Sequence, residues 1–102
     1  MQNNIQIQFV IITVSEALTQ YINDKLSLLF NKYPSLIKAQ VYIKKEAKSV
    51  SHNCICEIEL SLPGPRLFAS AKEHNYELAV KKTIAELEHQ LKKVKQKMLA
   101  TH

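Results

Sequence analysis

The sequence predicts an α+β fold: a two-layer sandwich of order β-α-β-β-β-α, with a four-stranded mixed sheet and both helices on one face. Three observations predict it. Short segments near residues 5–11, 37–43 and 54–62 alternate apolar and polar residues, the period of a half-buried strand. Two longer segments repeat apolar residues every three or four positions, the period of an amphipathic helix. Each helix has one apolar stripe and each strand one apolar face, and a helix layer on a sheet buries all of them together.

In "IQIQFVI", Ile5, Ile7, Phe9 and Ile11 fall on one face, with Gln6 and Gln8 on the other. "TVSE" follows, where Thr13 and Glu16 have capping-box spacing and Ser15 is a rival N-cap. Over residues 17–33 the stripe Leu18, Ile22, Leu26, Leu29 and Tyr33 marks the first helix, which Pro34 stops. "IKAQVYI" alternates again, placing Ile37, Ala39, Val41 and Ile43 together. The polar "KKEAKSVSHN" reads as a hairpin loop. "CICEIELSL" then turns Cys54, Cys56, Ile58, Leu60 and Leu62 inward and Glu57, Glu59 and Ser61 outward. In "PGPR", Pro63 fixes φ and Gly64, the single glycine, supplies a positive one. "LFASAK" is a short fourth strand. Asn75 caps the last helix, with Glu77 in its first turn and a stripe of Tyr76, Val80, Ile84, Leu87, Leu91, Val94 and Met98. Three consecutive strands form an antiparallel meander. The first strand and helix form a right-handed crossover, which makes the first two strands parallel neighbours.

At 102 residues the chain is expected to be one domain, 1–102, with a core of its own. The net charge of +5 is unevenly spread. Residues 1–91 hold nine lysines, one arginine and nine acids, and residues 92–102 hold four lysines and no acid. A local excess of one sign points to a polyanion, either nucleic acid or an anionic membrane. No segment reads as a signal peptide or a membrane span. Cys54 and Cys56 sit at i and i+2 on a strand, where a bridge would be strained. Two free thiols without an export signal imply a cytoplasmic protein.

The residues for catalysis are missing. Asp24 is the only aspartate, and one glycine cannot build a phosphate loop. His52, Cys54 and Cys56 could converge on a metal, but their spacing is not a zinc pattern and no second ligand pair follows. Buried structural cysteines are the expected reading, with no metal, no cofactor, no small-molecule substrate and no enzyme activity. On the outer sheet face Glu57 and Glu59 oppose Lys44 and Lys72. That mixed face is a poor platform for RNA, even with Tyr42 and Phe68 on it.

The helix side is the better binding surface. In "QLKKVKQKM" the lysines ride on a helix whose stripe is continuous beneath them, and Lys81 and Lys82 extend the basic character upstream. For Lys92 and Lys93 only Glu88 stands at i−4 to pair. A membrane-surface helix needs its apolar face free, whereas here the core needs it. Lysines held outward on a folded helix suit phosphates. A single arginine leaves bidentate base reading poorly equipped. The expected partner is a structured nucleic acid recognised by shape and backbone.

The chain resembles the ribosome hibernation promoting factor family, also called ribosome-associated inhibitor A or sigma-54 modulation proteins. The resemblance covers essentially the whole chain. It is carried by "SEALTQYINDKLSLLFNKY" and "PGPRLFASAKEHNYELAVKKTIAELEHQLKKVKQK", most specifically Glu16-Ala17-Leu18, Ala69-Ser70-Ala71, and Leu87 through Gln90-Leu91 into the lysine run. It implies a fold like a double-stranded-RNA-binding domain and binding to the small ribosomal subunit and its rRNA, in the channel for mRNA and tRNA, with inhibition of translation in stationary phase. The rRNA-binding positions it implies are Lys25, Lys82, His89, Lys92, Lys93, Lys95 and Lys97. The family usually has an acid and then a tyrosine two places on before an Ala-Ile pair. Here Asn75-Tyr76-Glu77-Leu78-Ala79-Val80 has the tyrosine one place earlier and lacks the acid. Without a second domain after the lysines, the chain resembles the short form. The alternative from a different class is a non-catalytic protein-interaction module that modulates a transcription factor, its basic end incidental.

Overall fold

The computed structural model describes residues 4–47 and 51–100, with side chains to Lys97. Residues 48–50 of the expected hairpin loop, the Met98 side chain and His102 lie outside the described residues. The order is β1 (Ile5–Phe9), α1 (Glu16–Lys32), β2 (Lys38–Lys45), β3 (Cys54–Ser61), β4 (Arg66–Glu73) and α2 (Tyr76–Ala100). The sheet runs β1-β2-β3-β4, with β1 and β2 parallel and the other two pairs antiparallel. This is the expected mixed sheet with both helices on one face.

Register sets the layers. Ile7, Val41, Ile58 and Ala69 align across the four strands, as do Phe9, Ile43, Cys56 and Ala71. These rows meet Leu18, Ile22, Leu26 and Leu29 of α1 and Val80, Leu87 and Leu91 of α2 in one core. Gly64 turns the β3–β4 hairpin at φ 100°.

The first strand is shorter than its alternation implies. Ile11 has φ 59°, so the chain leaves the extended region and the side chain is 97% exposed instead of sharing the face of Ile7. Ile37 is also exposed, because β2 begins after it and its inward alternation starts at Ala39. Ser15, not Thr13, caps α1, since Glu16 is already its first residue and the Ser15 hydroxyl accepts from the Leu18 N–H at 3.2 Å. The Tyr33 N–H still donates to the Leu29 carbonyl before Pro34 ends the helix. Asn75 caps α2 as expected, its side-chain oxygen accepting from the Leu78 N–H at 2.8 Å.

Candidate nucleic-acid interface

The sheet fixes α2 at three heights. At its start the Tyr76 hydroxyl donates to the Lys44 carbonyl at 3.0 Å. Farther along the helix, Thr83 is fully buried, its hydroxyl donating to the Ala79 carbonyl at 2.7 Å with the Cys56 carbonyl at 3.3 Å. Beyond it, the Gln90 side chain donates to the Phe68 carbonyl of β4 at 3.1 Å. Phe68 lies near the start of β4, so the turns beyond Gln90 run out past the end of the sheet. The molecule is accordingly long, 49 × 28 × 18 Å. The lysine-rich part of α2 is therefore a projecting rod, anchored upstream by buried Leu87 and Leu91.

At about 100° per residue, the lysines spread over the solvent arc of this rod in two groups. Lys92 and Lys95 project toward α1. The Lys95 ammonium stands 6.0 Å from the centre of the Tyr33 ring at the end of α1. Lys32 reaches the same ring from α1, also at 6.0 Å, and pairs with Glu88 of α2. That hydrogen bond and charge attraction raise the Lys32 ammonium above its ordinary range. Glu88 is thereby occupied across the helix pair, and Lys92 forms no ion pair among the described residues. The one acid at i−4 from Lys92 is held by α1 instead.

Lys93 and Lys97 project to the opposite flank, toward β4. Lys82 shares that flank, where it bridges to Glu73 of β4 at 3.1 Å. His89 lies between the groups on the exposed ridge. Lys25 is on the flank of α1 that faces α2, one helical repeat before Lys32, its ammonium 5.5 Å from the Tyr21 ring centre. The fold thus gathers Lys92, Lys93, Lys95 and Lys97 with His89 around one rod. It sets Lys25 further up the interhelical cleft and Lys82 on the far flank with its charge shared. Sequence reasoning missed Lys32 and Tyr33. The signal for them was their place at the end of α1, next to the helix that carries the lysines.

The displaced tyrosine acquires a structural role. Tyr76 is half-buried and ties α2 to the end of β2, while Asn75 just before it is the N-cap.

No other chemistry assembles among the described residues. No group of three or more His, Cys, Asp or Glu is placed to hold a metal. Cys56 is buried under α2 and Cys54 half-buried at the strand start. On the outer sheet face Lys44 pairs with Glu57 at 2.8 Å and Arg66 with Glu59 at 3.5 Å, so both of its acids are engaged. No described helix is long and apolar enough to cross a membrane.

Residues 5–99 match the family described as Sigma 54 modulation protein / S30EA ribosomal protein. Among solved structures, a ribosomal subunit interface protein from Coxiella burnetii is similar at 22% identity and TM-score 0.79, covering 90% of this chain and 97% of its own. The N-terminal domain of Protein Y from Thermus thermophilus is similar at 21% identity and TM-score 0.73, covering 87% of this chain and 94% of its own. These likenesses establish the shared fold. The curated proteins compared yield no match.

Proposed function

The chain belongs to the Sigma 54 modulation protein / S30EA ribosomal protein family, a non-catalytic one, and on that premise we propose that it binds the small ribosomal subunit through α2 and silences translation by occupancy. The observation that carries this reading is the unpaired lysine rod. Lys92, Lys93, Lys95 and Lys97 form no ion pair among the described residues, while the acids nearest them, Glu86 and Glu88, bond to Gln90 and Lys32. Such a rod neutralises phosphates and releases their counterions. Lysine contacts phosphates as a point charge and lacks the planar fork of arginine for bidentate base reading, which suits structured rRNA recognised by shape.

Lys25, His89 and Lys82 extend the contact along the helix layer, Lys82 with its charge shared by Glu73. The site is the decoding channel, where a rigid domain excludes mRNA and tRNA sterically and no reaction is required. The setting is the cytoplasm of cells in stationary phase or under stress, where idle ribosomes are held in hibernation.

Cell-free translation with purified ribosomes tests the mechanism. Preincubation with this protein should inhibit strongly, and preincubation with mRNA and initiator tRNA should protect. Added monovalent salt should relieve the inhibition, because the anchor is a set of phosphate contacts. If order of addition and salt make no difference, occupancy is wrong and the protein-interaction module becomes the better reading.

A further inference from the structure

The sheet has two edges, and they are treated differently. An open edge is a template for further strands, and proteins blunt it with charge, proline, a bulge or a covering element. The β4 edge has charge and a cover. Arg66, Lys72 and Glu73 lie on the strand, and Gln90 of α2 caps the outward carbonyl of Phe68. Among the described residues the β1 edge has neither. No charged residue, proline or glycine occurs before Glu16.

The free groups of β1 can be assigned. The Asn4 carbonyl accepts from the Ala39 N–H at 2.8 Å, and the Val10 N–H donates to the Ile43 carbonyl at 2.8 Å. Even-numbered residues therefore face β2, and the N–H and C=O groups of Ile5, Ile7 and Phe9 point out from the sheet. The same side chains are only half-buried, while Ala39, Val41 and Ile43 beside them on β2 are fully buried. Apolar surface and backbone bonding capacity thus remain uncovered along one line.

We propose that this edge takes a second copy of the chain: two β1 strands pair antiparallel about a two-fold axis at Ile7, forming one eight-stranded sheet. The register is self-complementary. Ile7 opposes Ile7 and Ile5 opposes Phe9 as hydrogen-bonded pairs, using every outward group of the three residues. Gln6 opposes Gln8 on the open face, where each amide can both donate and accept. Charge selects this edge over other surfaces. Two copies of a +5 protein repel each other, and β1 is where they can meet without bringing like charges together. The lysine rod belongs to α2 beside β4, so pairing leaves it exposed in both copies, and the proposal does not depend on ribosome binding.

Sedimentation equilibrium of the full chain, with double variants at the exposed Gln6 and Gln8, tests it. The wild type should associate reversibly to a dimer. Q6E/Q8K places Glu opposite Lys at both cross-strand pairs and keeps the net charge, so its dimer should be at least as tight. Q6K/Q8K and Q6E/Q8E place like charges opposite each other, and each should dimerise about tenfold more weakly than Q6E/Q8K. Q6E/Q8E should do so despite its lower net charge. Unchanged melting of the monomers would exclude a folding defect, and replacing the four terminal lysines by Gln should leave dimerisation intact. A wild type that stays monomeric at millimolar concentration overturns the proposal. So does a set of three variants that dimerise alike, or a Q6E/Q8K as weak as the like-charge pairs, which would place the contact elsewhere or in another register.

Discussion

Cys56 lies fully buried beneath α2, and burial pushes its thiol up to about 12 from an ordinary 9.0. Loss of thiolate solvation is the main cause; the Thr83 hydroxyl works against it and the Glu57 carboxylate adds to it. In the unfolded chain the thiol ionises first, so stability from this group is complete below pH 9 and is lost as pH rises toward 12. The slope inside that window approaches about 1.4 kcal/mol per pH unit. Cys56→Ala should cost stability at neutral pH through its cavity, yet lose less than the wild type on going alkaline. Tyr76, also raised by burial, contributes the same sign in both proteins and cancels in the comparison. Urea unfolding from about pH 8 to about pH 11 reads the difference; parallel curves would contradict it. The inward turn of both thiols was legible from strand alternation alone. Alternation did not reveal where a strand stops, and Ile11 and Ile37 were misplaced for that reason. It also failed for Ile55, which faces outward yet is 8% exposed. Register sets Ile55 between Lys44 and Lys72, whose alkyl stems can lie over it. Cross-strand register is a tertiary fact that one segment does not contain.

At the scale of elements, the helix ends are the sharpest test of local reasoning. Two candidate caps compete before α1, and only geometry separates them. The Ser15 hydroxyl accepts from the Leu18 N–H, and the Ser15 carbonyl accepts from both the N–H and the hydroxyl of Thr19. Ser15→Ala should destabilise the protein by about 1 kcal/mol, and Asn75→Ala by a similar amount at α2. Thr13→Ala at the exposed rival position should stay within about 0.5 kcal/mol of wild type. Thermal unfolding of the three variants distinguishes them; equal losses at Thr13 and Ser15 would contradict the assignment. Both helical stripes were legible, because Leu18, Ile22, Leu26 and Leu29 and then Val80, Leu87 and Leu91 repeat at the period of one buried face. Thr83 was not, since a hydroxyl in that stripe gives no apolar signal, although the i−4 carbonyl satisfies it within its own helix. The pairing of Glu88 with Lys32 was equally hidden. The residues are far apart in sequence, and only the packing of α1 on α2 joins them.

Over the whole molecule, charge and shape divide the labour. The sheet and both helices hold a core, ion pairs engage both acids of the outer sheet face, and the lysine excess of α2 is carried out past the sheet. The order of elements and the local charge excess were both readable from the sequence. The division of the lysines into two groups around the rod was not, because it depends on which flank of α2 meets α1 and which meets β4. The central claim is that this rod is the anchor on ribosomal RNA. The most direct test is co-sedimentation with small ribosomal subunits across a monovalent salt series, for the wild type and for the variant with Lys92, Lys93, Lys95 and Lys97 replaced by Gln. Wild-type affinity should fall steeply with salt. The variant should bind more weakly at low salt, with a salt dependence flatter by about one slope unit for each phosphate that a lysine no longer neutralises. An affinity and a salt slope unchanged by the four substitutions would contradict the account.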